Sequence, residues 1–73
     1  MSNEIETIDK TEIARSTSTS PKVLKKLSRD KDHEIRAITA NNSSTPLEVV
    51  EKLSKDEHPY VAMIASNAKV FNY

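Results

Sequence analysis

Glycine and cysteine are both absent from this sequence, and each absence removes a class of function. Without glycine there is no glycine-rich phosphate loop, no dinucleotide fingerprint and no glycine-dependent tight hairpin. Without cysteine there is no disulfide framework, no thiolate metal site, no iron–sulfur cluster and no thiol nucleophile. An excess of either charge is lacking as well: 11 basic and 11 acidic residues cancel, which argues against bulk electrostatic attachment to DNA or to an anionic membrane. No apolar run approaches the ~20 residues that a membrane span needs. The opening MSNEIETIDK carries acids and no apolar stretch, so it does not read as a secretory leader, and a cytoplasmic setting is expected. At 73 residues the chain accommodates one domain with a modest core.

What the chain does contain is an internal echo. ARSTSTSPKVLKKLSRD (14–30) aligns without a gap on ANNSSTPLEVVEKLSKD (40–56), at an offset of 26 residues. Ala14 meets Ala40, Thr19 meets Thr45, and Val23, Leu24 and Leu27 meet Val49, Val50 and Leu53. Ser28 and Asp30 meet Ser54 and Asp56. IRAITANN (35–42) is similar to YVAMIASN (60–67) at an offset of 25, which implies a second turn one residue shorter. A repeated pattern of helix, polar loop, helix and aspartate turn is the signature of a helical array.

Local chemistry supports helices at these places. In STPLEVVEKLS, Thr45 is positioned to cap, Pro46 to open the helix and Glu48 to complete a capping box, with Val49, Val50 and Leu53 on one face. In the first copy Thr19 takes the cap position before Pro21, and Lys22 stands where Glu48 stands, leaving the box incomplete. Val23, Leu24 and Leu27 are the corresponding core positions. Asp30 or Asp32 is expected to cap the following helix, Ile35, Ile38 and Thr39 to face inward, and Asn41 or Asn42 to close it in a left-handed conformation. Pro59 repeats the device near the last helix. Ile5, Ile8 and Ile13 lie roughly on one side, with 9–15 a degenerate short helix and 1–8 a frayed start.

The residues IRAITANNSSTPLEVVEKLSKDEHPYVAMIASN resemble the leucine-rich repeat variant family, whose pattern is of the kind V-R-x-A-V-A-x-N-P-x-T-P-x-E-L-L-x-x-L-A-x-D. Ile35, Arg36, Thr39, Ala40 and Asn42 sit on its first half, and Thr45, Pro46, Glu48, Val49, Val50, Leu53, Ser54 and Asp56 on its second. The resemblance extends over about 55 of the 73 residues. Ser43 replaces the proline of the pattern, and Ala62 stands near the place equivalent to Arg36. The resemblance implies an all-α fold: a short right-handed α-solenoid, a HEAT/armadillo-like superhelix of about two helical-pair repeats. Residues 9–34 would form the first repeat, 35–59 the second, and 60–73 a truncated third with its tail. It implies no catalytic residue. Family members that hold an iron–sulfur cluster do so through cysteines outside the repeats, so no cofactor is expected here.

The expected role is therefore contact rather than chemistry: a non-enzymatic protein-protein interaction module, acting as a small adaptor, regulator or inhibitor on a larger protein. Lys22, Lys25, Lys26 and Arg29 are spaced to share one helix face, and 21–36 carries six basic against three acidic residues. This stripe is read as a docking face for an acidic protein, or as a phosphate contact in the alternative of a nucleic-acid-binding repeat protein. The opposing expectation is a solvated face balanced by Glu48 and Glu51, which also pair with Lys52 and Lys55 at i, i+4. Arg36, Tyr60, Phe71 and Tyr73 join the candidate partner-binding residues, because arginine and aromatics anchor interfaces. Val70, Phe71 and Tyr73 either fold back over the last repeat or dock a partner, and the open ends suggest a homodimer. His33 and His58 recur before successive helices, but without a third ligand they make no metal site. A helix-turn-helix reading places Val61–Lys69 as recognition helix, yet its one basic residue, Lys69, suits that role poorly.

Overall fold

Five helices follow one another with no strand among the residues described in the computed structural model, 9–73. They are α1 (Lys10–Arg15), α2 (Pro21–Leu27), α3 (His33–Asn41), α4 (Leu47–Leu53) and α5 (Pro59–Asn72). The expected frayed start at 1–8, with Ile5 and Ile8, lies outside the described residues.

The N-terminal caps arise from side-chain oxygens and one imidazole. Asp9 accepts from the Thr11 amide, Ser20 from Val23, Asp32 from Glu34, and His58 Nδ1 from Tyr60. Pro21 and Pro59 occupy the first turn, where a missing N–H costs nothing. Two expectations are corrected here. Neither Thr19 nor Thr45 caps: Ser20 caps α2, and α4 starts after Pro46 with no side-chain cap, so Glu48 closes no capping box. The threonine hydroxyls turn inward instead. Thr19 donates to the Ile13 carbonyl at 2.6 Å, and Thr45 to that of Thr39 at 2.7 Å. Thr19 thereby satisfies a carbonyl at the end of α1, and Thr45 shares the Thr39 carbonyl with the Asn42 amide that caps α3.

Helix C-termini also close differently from expectation. No described residue has positive φ, and Asn42 is extended at φ −78°, ψ 122°. Its amide is engaged elsewhere. Nδ2 donates to the carbonyls of Ala14 at 2.7 Å and Ser16 at 2.9 Å, while Oδ1 accepts from the Ser44 amide at 2.8 Å. Asn42 therefore ties the end of α3 to the end of α1. Ser28 and Ser54 close α2 and α4 with hydroxyls donated to the Lys25 and Glu51 carbonyls, at 2.5 and 2.6 Å.

These contacts recur at a constant 26-residue interval. The Asp32 amide donates to Asp30, and the His58 amide to Asp56. The Lys10 ammonium binds Asp30, and the Arg36 guanidinium binds Asp56. The interval of 25 expected for the last segment gives way to 26: Ile35 and Val61 are both buried, as are Thr39 and Ala65, whereas Tyr60 is exposed.

α3 is the hub, packed against the other four helices, and α4 also packs on α5. The main core joins Ala37 and Ala40 of α3, Val49, Val50 and Leu53 of α4, and Val61, Ala65 and Ala68 of α5. Alanines on both sides of the α3–α5 contact allow close approach of the helix axes. Each buried valine or leucine contributes about 1.5–3 kcal/mol by leaving water. Leu24 is fully buried, Leu27 half-buried, and Ile38 half-buried beside buried Ile35 and Thr39. Val23 corrects the expected core, being 39% exposed where Val49 is 4% exposed. Val49 has α2 across a groove from it; Val23 has no described helix on the matching side.

The two ion pairs make stability pH-dependent. The Lys10 hydrogen bond and the Asp32 amide hold the Asp30 carboxyl below the usual carboxylate value. Burial alone would push Asp56 up, but the Arg36 guanidinium and the His58 amide outweigh it, so its pKa is also lowered. Folded-state pKa values below the unfolded value of about 3.9 stabilise the fold above that value and cease to do so as pH falls through the folded pKa. Urea denaturation at stepped pH should show stability falling below about pH 4, with Asp56→Asn flattening that acid limb.

Candidate protein-interaction surface

α2 presents Lys22, Lys25 and Lys26 to solvent, opposite buried Leu24, and Arg29, expected on the same helix face, lies exposed in the turn after the Ser28 cap. Their spacing follows the helical period, so the side facing α3 is apolar and the outer side cationic. Among the described residues the ion pairs are Lys10–Asp30 and Arg36–Asp56, and neither engages the stripe. The expected internal pairs of Glu48 with Lys52 and Glu51 with Lys55 do not form within ion-pair distance either.

A groove of about 340 Å³ runs beside this stripe. Lys25, Ser28 and Arg29 form one wall, Glu48 and Lys52 the other, and Val49, Leu53 and Asp56 complete the lining. Asp56 is committed to Arg36, which leaves Lys25, Arg29 and Lys52 against the single carboxylate of Glu48. The expected neutralisation of the stripe by α4 is therefore incomplete: Glu48 lines the opposite wall, without a salt bridge, and Lys52 adds a further positive charge.

Arg36 does not join this surface. Nε and Nη2 hold the two Asp56 oxygens at 2.9 and 3.1 Å, Nη1 donates to the Asp30 carbonyl at 2.7 Å, and the side chain is 13% exposed. It is an internal clamp between the turn after α2 and the turn after α4. Sequence reasoning had a signal for this role, because Arg36 lies 26 residues after Lys10 as Asp56 does after Asp30.

The aromatic candidates gather on and after α5, away from the stripe. Tyr60 and Phe71 are exposed, with Met63 and Val70 between them. α5 continues through Val70 and Phe71 to Asn72, so this segment does not fold back over the preceding helices. Tyr73 alone turns toward it: its hydroxyl donates to the Thr45 carbonyl, and burial raises its pKa.

His33 and His58 stack with ring centroids 4.0 Å apart and planes 6° from parallel. Parallel rings aim their nitrogen lone pairs side by side rather than at a common point, and His58 Nδ1 already accepts the Tyr60 amide at 3.3 Å. No group of three or more His, Cys, Asp or Glu residues is placed to hold a metal among the described residues. No helix there is long and apolar enough to cross a membrane. Compared with known protein families, with curated proteins and with solved structures, the chain matches none.

Proposed function

We propose that the protein is a non-enzymatic interaction module. It is a short right-handed α-solenoid, similar to leucine-rich repeat variant arrays, that binds an acidic segment of a larger protein along α2 and the α2–α4 groove. The observation that carries this reading is the set of exposed cations on α2 and the turn after it, none held by a carboxylate among the described residues. The solenoid part is supported by the hydrogen bonds and ion pairs that recur 26 residues apart. A protein ligand is favoured over a nucleic acid because the chain as a whole carries no net positive charge, with 11 basic and 11 acidic residues.

The test is capture of partners from host lysate by the wild-type chain and by a variant with Lys22, Lys25, Lys26 and Arg29 changed to glutamate, read by mass spectrometry. Partners with acidic segments should be retained by the wild type and lost by the variant, with helical content unchanged because all four positions are exposed. Retention by both chains would sink the assignment of the stripe. DNA or RNA binding that weakens steeply with salt would favour the nucleic-acid alternative, since released counterions give that signature.

A further inference from the structure

α5 carries an apolar stripe that is independent of the cationic surface. Tyr60, Met63, Asn67, Val70 and Phe71, flanked by half-buried Ile64, fall within a band roughly 120° wide at 100° per residue. Tyr60 is 49%, Met63 52%, Val70 74% and Phe71 82% exposed. Val61, Ala65 and Ala68 point the other way, into the core. The helix has one charged residue, Lys69, and it lies off the band. Glu34, Ala37, Ile38 and Asn41 are the α3 residues 26 positions earlier, and α3 turns this side to α5, lining a cleft with Tyr60 and Ile64. Ala37 is buried and Ile38 half-buried while Glu34 and Asn41 stay exposed, so within the chain the middle of the equivalent face is covered by a helix lying alongside.

We propose that this face is a homodimer interface, with α5 of one copy packed on α5 of a second across a two-fold axis. Three features favour a second copy as the occupant. The band is uncharged, so two identical faces meet without like-charge repulsion, which the α2 face could not do. Asn67 sits mid-band, and its amide offers both donor and acceptor, so it can pair with its own counterpart as a charged residue cannot. The four apolar side chains expose roughly 500 Å² per copy, so two faces together would bury roughly 1,000 Å², the lower bound of a specific interface. The Tyr73 hydroxyl anchors the end of α5 to the loop before α4, so the helix meets its partner preformed.

Sedimentation velocity of the full chain, from low to high micromolar, tests this. The wild type should pass from monomer to dimer and stop there. Phe71→Glu and Met63→Glu should each raise the dimer dissociation constant by at least about 30-fold, as loss of an interface anchor does, with circular dichroism unchanged. Because the chain has no cysteine, Asn67→Cys should give a disulfide-linked dimer on mild oxidation, and Lys25→Cys should not. A monomer at every concentration, a dimer that survives both glutamates, growth beyond the dimer, or no cross-link through position 67 would each overturn the proposal. None of these outcomes depends on whether the α2 stripe binds a partner.

Discussion

Replacing Asn42 with alanine should destabilise the fold by about 2–4 kcal/mol, because it strands one buried and two half-buried polar groups together. Asn42 is 5% exposed, and its amide serves the Ala14 and Ser16 carbonyls and the Ser44 N–H. A domain of this size has a total stability of only about 4–11 kcal/mol. The thermal midpoint should therefore fall by roughly 10–25 °C. Asn42→Asp separates hydrogen bonding from size. Aspartate is nearly isosteric and can still accept from Ser44, but it turns a negative oxygen toward two carbonyls. It should destabilise more than alanine does. Thermal and urea unfolding followed by circular dichroism measure both variants. An alanine variant within about 0.5 kcal/mol of wild type, the range of an ordinary surface change, would show that Asn42 does not hold α1 to α3.

Arg36→Met should destabilise the protein by about 2–3 kcal/mol, more than any change in the α2 stripe. The substitution keeps much of the aliphatic stem but leaves the Asp56 carboxylate, 11% exposed, without its bidentate partner. It also removes the donor to the Asp30 carbonyl. Arg36→Lys should restore only part of the loss, since an ammonium cannot reproduce the fork. Combining Arg36→Met with Asp56→Asn should recover stability relative to Arg36→Met alone, because the unpaired charge is then gone. A double-mutant cycle in urea measures that coupling. Additive single effects would contradict the clamp.

The helices were legible in the sequence because they depend on neighbours along the chain. Pro21 and Pro59 at first turns, Asp32 before α3, and the apolar positions of α4 are local signals, and each stands where the residues predicted. The 26-residue echo was legible too, and it reached further than apolar matching suggested, to Lys10 and Arg36 and to the Asp30 and Asp56 turns. Thr19, Thr45 and Asn42 were misread for one reason. A short polar side chain beside a helix end has both a local use and a distant one, and sequence displays only the local one. Thr45 has a cap position within reach, but the Thr39 carbonyl is buried and water cannot reach it, so the hydroxyl goes there. The same distinction divides the candidate interaction residues. Arg36 and Lys22 are both cations on helices, and in sequence only the 26-residue match of Arg36 to Lys10 and of Asp56 to Asp30 sets them apart.

The chain by itself determined an all-helical fold without glycine turns, the recurrence of one polar pattern, and a cationic outer face on α2. These follow from backbone preferences and helical period, which act over a few residues. Tertiary structure alone decided which cation became a clamp and which stayed on the surface. It decided that Val49 is covered while Val23 is not, and that the apolar band of α5 faces outward. Those outcomes depend on which helix lies alongside. Val23 and Val49 share a residue type and a register, and among the described residues only Val49 has a helix across from it.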